Sequence, residues 1–160
     1  MSFTQHAFGE RYKVVLSSVV ASVGFLVALL VNSAYERWRD HESYLLMRHA
    51  IKVEAESNAH ILQTAFRKYL NNGVVLQPFN TSVVAQMLYS PAFLKFSNNE
   101  EINLLSKYQR DIALANRYRE KAEFFVFEDK DQRWLETLKP IWSANLDTCE
   151  QEIKLVIEQL

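Results

Sequence analysis

The sequence predicts an all-α protein in which one N-terminal transmembrane helix continues into a small helical bundle. An uncharged, proline-free run of eighteen residues extends from Val14 to Val31. Only three glycines and three prolines occur among 160 residues, so turn signals are sparse. Apolar residues then recur every three or four positions, as in amphipathic helices. We therefore divide the chain into a tail (1–13), a transmembrane helix (14–34) and a helical soluble domain (35–160).

The run from Val14 to Val31 is long enough to cross a bilayer, because eighteen helical residues rise about 27 Å. A secretory signal has a shorter apolar stretch, and the SAYERWRD that follows continues as helix, so we expect a retained span. Two Lys/Arg residues precede the span, whereas four follow it within about twenty residues. This excess predicts a single-pass protein with a cytoplasmic C-terminal domain. The reverse topology, with an extracytoplasmic sensor bundle, stays open.

Small side chains form a stripe along the span at spacings of four, three and four: Ser17, Ala21, Gly24 and Ala28. Small residues let membrane helices approach closely, which predicts self-association. A lone anchor with incidental small residues is the alternative. One span cannot enclose a pore, so any channel would need several copies around an axis, with Asn32 lining a polar ring.

The first soluble segment is predicted to extend the span as one helix to about Leu70, ended by Asn71-Asn72-Gly73. Asn58 lies on the apolar seam of this helix. It is either a hydrogen-bonded core residue or a polar residue that fixes the register between copies. The other residues of the seam are Tyr44, Met47, Ile51, Ala55, Leu62, Ala65 and Tyr69.

Further helices are predicted beyond the connection that contains Pro78. A short one extends from about Ser82 to Tyr89, and a Ser97-to-Glu100 capping box starts another that ends near Phe124. FVFEDKD is predicted to be a loop or a short edge strand. The last helix, about 131 to 160, is expected to be kinked or divided at Pro140. The inward residues of the two long helices are Ile102, Leu105, Ile112 and Ala115, then Leu135, Leu138, Trp142, Leu146, Cys149, Ile153, Val156 and Leu160.

Charge and motifs exclude several function classes. Residues 36 to 160 hold 16 Lys/Arg and 18 Asp/Glu, which argues against binding of duplex nucleic acid. Cys149 is expected to be a small core residue rather than a nucleophile. His49, Glu56 and His60 share a helical face, which we expect to be solvated rather than a metal site. No enzyme motif occurs, so we expect no enzymatic activity, no cofactor and no metal.

The most distinctive polar feature is a basic stripe on the helix that begins near Asn98: Lys107, Arg110, Arg117 and Lys121. Asn116 and Tyr118 lie close to it in sequence. Guanidinium groups grip phosphates bidentately and a Tyr ring can stack on a base, so these six residues are the candidate site for an anionic nucleotide. A solvated face with local ion pairs is the alternative. Arg67-Lys68-Tyr69 is a second basic and aromatic group with the same alternative.

The layout of short tail, span and compact helical domain, together with the basic stripe, resembles the small membrane effectors of type III CRISPR antiviral systems. That resemblance implies a homo-oligomer, with a tetramer favoured, in the bacterial inner membrane. It implies that a cyclic oligoadenylate, with cyclic tetra-adenylate favoured, binds the cytoplasmic domain and that the membrane is perturbed during antiphage defence. The alternative is a membrane tether whose helical domain docks a partner protein and binds no ligand.

A second resemblance is to one-span bacterial proteins whose stalk contains Trp-Arg, then Glu, then Asn. The corresponding residues are Trp38-Arg39, Glu54 or Glu56, and Asn58. This resemblance implies no activity.

Overall fold

The structure, a computed structural model, describes residues 3–66, 77–127 and 132–160, and these residues form helices and connections without a strand. The all-α class is thereby confirmed. Helix α1 extends over Phe3–Ile61 and continues as a π-helical turn, Leu62–Phe66. The later helices are α2 (Ser82–Met87), α3 (Pro91–Phe96), α4 (Asn99–Phe127) and α5 (Gln132–Gln159).

The chain divides into two units, Met1–Glu42 and Ser43–Leu160. In the first unit, α1 contains a stretch with a mean hydropathy of 2.2 and no buried side chain in that window. Among the described residues it is the one helix that is long and apolar enough to cross a membrane. Asn32 Nδ2 donates to Glu36 Oε1 at 3.1 Å, so this amide has a partner within its own helix.

The second unit is a helical domain with one apolar core. Helices α4 and α5 pack along each other, and the inner face of α1 contributes Ile51 and Ala55, which are fully buried. Phe66 stacks on Phe79, with ring centroids 4.2 Å apart, and meets Trp142 edge-on at 5.7 Å. Every predicted inward residue whose side chain is described is buried or packed against this core. The core therefore follows the predicted three-and-four spacing.

Helix α3 was not predicted, and the start of α4 was predicted one residue early. Pro91 occupies the first turn of α3, where its missing N–H costs no hydrogen bond. Ser97 Oγ donates to Phe93 O at 2.7 Å, so this hydroxyl belongs to the end of α3. Asn98 Oδ1 accepts from Glu101 N at 2.8 Å and caps α4 instead of Ser97.

Three other boundaries differ from the prediction. Helix α2 ends at Met87, and α4 continues to Phe127, so the first residues of FVFEDKD are helical. Pro140 lies inside α5 and does not divide it. Leu138 and Trp142, on either side of that proline, are buried, and this packing offsets the hydrogen bond that Pro140 cannot donate. Residues 67–76, which include Tyr69, Asn71-Asn72-Gly73 and the second basic group, lie outside the described residues, as does the side chain of Leu135.

Candidate functional site

The basic stripe lies on the outward face of α4. All four of its side chains are exposed. At about 100° per residue, Arg110, Arg117 and Lys121 fall within roughly 40° of one another, and Lys107 lies nearer the edge of the face. We call Arg110, Arg117 and Lys121 the outer cluster.

Lys107 is engaged by a buried carboxylate. Its Nζ forms an ion pair with Oε1 of Glu152 on α5, whose side chain is only 2% exposed. The hydrogen bond and the charge of Glu152 raise the pKa of Lys107 above its usual range. Within the described residues, Oε2 of Glu152 is buried without a hydrogen-bond partner. Lys107 therefore neutralises the desolvated charge of Glu152, and this ion pair contributes to the stability of the fold rather than to a ligand site.

Arg110 makes one local contact and stays largely exposed. Its Nε donates to Asp111 Oδ1 at 3.0 Å, and 68% of its side chain is exposed. This hydrogen bond and the Asp111 charge raise the pKa of Arg110. Since the contact uses Nε, the two terminal nitrogens can still meet an anion bidentately.

Arg117 and Lys121 are the exposed cations with the fewest contacts on this face. They are one turn apart on α4. Within the part of the chain that the structure describes, neither forms an ion pair or a side-chain hydrogen bond. The neighbouring Arg119 differs, because its Nη1 pairs with Glu123 Oε1 at 2.6 Å and its side chain is 13% exposed.

Asn116 and Tyr118 do not extend the outer cluster. Asn116 Oδ1 accepts from Phe79 N at 2.9 Å, and its Nδ2 donates to Phe79 O at 3.0 Å. Both the oxygen and the nitrogen of the Asn116 amide are thus hydrogen-bonded to the backbone of the connection before α2. Tyr118 is half-buried against the core. The structure therefore brings three of the six candidate residues together and uses Lys107, Asn116 and Tyr118 in packing or pairing.

A second set of polar residues, which sequence reasoning identified only in part, holds the connection before α2. Asn58 is fully buried. Its Nδ2 donates to Asn80 O at 2.8 Å and to Tyr108 Oη at 2.7 Å, while its Oδ1 accepts from Asn80 N at 2.8 Å. These bonds use the amide within one chain, which confirms the core interpretation of Asn58.

Glu54 caps α2 from a different helix. Its Oε2 accepts from Val83 N at 2.8 Å and its Oε1 from Val84 N at 3.3 Å. Thr81, the N-cap residue, makes no side-chain cap hydrogen bond. The carboxylate also lies favourably at the positive end of the helix dipole. Of the two glutamates that the stalk pattern could include, Glu54 is buried and Glu56 is exposed. In the sequence, the signal that pointed to this role of Glu54 was its position four residues before Asn58.

A polar contact between Tyr44, Arg48 and Glu101 joins α1 to α4 and α5. Glu101 Oε2 accepts from Tyr44 Oη at 2.7 Å, and its Oε1 lies 3.2 Å from Arg48 Nε. Arg48 Nη2 donates to Gln159 O at 2.8 Å. Burial first, and then the hydrogen bond to Glu101, raise the pKa of Tyr44 to about 12. These side chains are used in bonds between helices.

The remaining candidate groups fit structural roles. Cys149 is buried, and burial raises the pKa of its thiol to about 12, so it is protonated at neutral pH. Its Sγ lies 3.4 Å from Asp111 O. His49, Glu56 and His60 are exposed. Among the described residues, no group of three His, Cys, Asp or Glu side chains could hold a metal ion.

No family model, no curated protein and no solved structure matches this chain.

Proposed function

We propose that this protein is an oligomeric, single-span effector of the bacterial inner membrane whose cytoplasmic domain binds a cyclic oligonucleotide. Cyclic tetra-adenylate is the favoured ligand, and its binding perturbs the membrane during antiphage defence. The observation that supports the ligand class is the outer cluster, three exposed cations on one face of α4. The apolar stretch of α1 supports the membrane anchor.

The outer cluster has the chemistry and reach that a multiply charged nucleotide needs. Arg110 and Arg117 offer planar donors to phosphate oxygens, and Lys121 adds a mobile point charge. The cluster spans twelve residues of helix, a rise of about 16 Å from its first residue to its last. One copy supplies three cations to a ligand with four phosphates, and copies around an axis would supply more. A symmetric ligand therefore fits a symmetric oligomer, and a tetramer is favoured.

The proposed response is a shift between two arrangements of the oligomer. A ligand shifts such an equilibrium only by its difference in affinity for the two states. Binding would therefore favour the arrangement in which outer clusters of several copies lie close enough to share one ligand. Without ligand, mutual repulsion of these cations disfavours that arrangement. Helix α1 contains both the span and the core residues Ile51 and Ala55, so the two units are covalently continuous.

The direct test is calorimetric titration of the full chain in detergent with cyclic tetra-adenylate. We expect binding at micromolar concentration or tighter. The double variant R117A/K121A should weaken it at least tenfold, because each lost charge-assisted hydrogen bond is worth about 1.5–3 kcal/mol. K95A/K154A removes two cations elsewhere and should bind like the unmodified chain. No binding at micromolar concentration would refute the nucleotide proposal.

A second candidate function is a tether that docks a partner protein. Tyr89, in the turn between α2 and α3, is 81% exposed, and Leu94, on α3, is 49% exposed. Exposed tyrosines of this kind are enriched at protein interfaces. A monomeric state in detergent combined with no response to the nucleotide would favour this alternative.

A further inference from the structure

We infer that copies of this protein pair through an outward strip of α1 formed by Leu46, Ala50, Val53 and Ser57, each copy packing against the same strip of the next. We call these four residues the α1 strip. This inference rests on the oligomer in the proposed function and specifies the surface that forms it in the soluble domain.

The α1 strip is an apolar face that the domain leaves uncovered. Leu46 is 66% exposed and Val53 is 49% exposed, while Ala50 and Ser57 are half-buried. Their spacings of four, three and four place the four side chains on one face of the helix. The core-facing Ile51 and Ala55 belong to a different face, so the strip contributes nothing to the apolar core.

The strip borders a groove that can receive an apolar side chain. The groove has a volume of about 420 Å³ and lies between α1 and the start of α2. Ala50, Val53 and Val83 give it apolar walls. Glu54 also lines it, but both of its carboxylate oxygens accept backbone hydrogen bonds from α2. A leucine or valine from another copy would therefore bury apolar surface here without desolvating an unbonded charge.

A second copy is the occupant because the membrane anchor makes all copies parallel. In one bilayer, single-span chains share their orientation, so identical segments meet. The small stripe Ser17, Ala21, Gly24 and Ala28 has the same four-three-four spacing as the α1 strip. A Cβ added at Gly24 would have nothing within 4 Å, so the chain itself leaves this position open for a neighbouring helix. In both segments, a parallel pair of helices brings like positions together.

The strip alone is too small for a stable dimer in solution. Stable interfaces bury about 800 Å² per partner, well beyond four side chains of this size. Once the spans of two copies meet in a bilayer, their α1 strips face each other at a high effective concentration. Association through the strip should therefore depend on the membrane.

Disulfide cross-linking in membranes tests the position of the interface. In a C149A background, single cysteines replace Leu46, Val53 or, as a control, the exposed Glu120 on α4. A disulfide needs Cα atoms about 4.4–6.8 Å apart, so it reports close approach. We expect L46C and V53C to form covalent dimers on oxidation at least fivefold faster than E120C. Equal or slower cross-linking than the control would overturn the inference.

A charge substitution separates this inference from the proposed function. L46E/V53E should lower the fraction of oligomer in lipid bilayers at least tenfold, whereas L94E, at an apolar position on α3 that is as exposed as Val53, should not. Oligomers that persist in L46E/V53E would show that the interface lies elsewhere, and this result would not contradict the proposed effector function. An unmodified chain that stays monomeric in bilayers would refute both proposals.

Discussion

Individual polar residues explain why a chain with so few turn signals forms a specific domain. On α1, Asn58 binds the backbone of Asn80 in the segment that leads into α2, and Glu54 binds the backbone of the first turn of α2. Asn116 binds the backbone of Phe79 from α4. Buried backbone groups outside regular helices need such partners, and here side chains of long helices supply them. These residues therefore specify the path of a connection that contains little secondary structure of its own.

The substitution E54Q tests the cap that Glu54 provides. It removes the charge from the start of α2 and turns one acceptor into a donor facing a backbone N–H. We expect a loss of about 1–3 kcal/mol in the free energy of unfolding. Thermal denaturation of the full chain in detergent, followed by near-ultraviolet circular dichroism, measures it. E56Q changes an exposed carboxylate on the same helix and should have little effect; equal losses would contradict the assignment of Glu54.

The ion pair between Lys107 and Glu152 predicts a specific dependence on pH. The pKa of Lys107 is raised above its usual 10.5, so the stabilisation is complete below that pH and is lost as the pH rises through the higher folded value. K107M should therefore be less stable than the unmodified chain across neutral pH, and the difference should shrink only above about pH 10.5. K154M, which breaks the exposed pair with Glu150, is the control. A difference that disappears between pH 7 and pH 9 would contradict the account.

At the scale of elements, the long helices could be predicted and their ends could not. The spacing of Leu105, Ile112 and Ala115, or of Leu146, Cys149 and Ile153, identifies α4 and α5, because burial of one face dominates their energetics. The position of a helix end depends on single hydrogen bonds, and several neighbouring residues are able to make them. Both Ser97 and Asn98 are suitable caps, and the choice depends on whether a helix precedes them. Helix α3 was missed because its six residues carry too short a pattern.

The same difference of scale applies to the candidate site. Spacing was enough to predict that Arg110, Arg117 and Lys121 share an exposed face. It could not show that Lys107 meets Glu152 or that Asn116 binds Phe79, since both partners are far away in sequence. Tertiary contacts therefore decide which cations stay available to a ligand.

Replacing Asn98 tests where α4 begins. N98A should lower the free energy of unfolding by about 1 kcal/mol, because Glu101 N loses its acceptor. N99A, at the next position and inside the helix, should lower the free energy of unfolding by less than N98A does. Thermal denaturation of the two variants measures both effects. A larger loss of unfolding free energy in S97A than in N98A would contradict this assignment and support the predicted capping box that begins at Ser97.

In the whole molecule, one helix supplies both an apolar stretch suited to a bilayer and buried residues of the core of the second unit. The second unit exposes two different surfaces, the outer cluster on α4 and the α1 strip. In our account the strip joins copies and the outer clusters bind a shared anionic ligand. Ligand and assembly are then coupled, because each copy contributes only part of the positive charge.

Release of a fluorescent dye from sealed vesicles measures whether ligand binding to this protein perturbs a membrane. The full chain would be reconstituted in liposomes and exposed to micromolar cyclic tetra-adenylate on the side of the soluble domain. We predict dye release that R117A/K121A abolishes and K95A/K154A retains. Vesicles that stay sealed with the unmodified chain at saturating ligand would contradict the account.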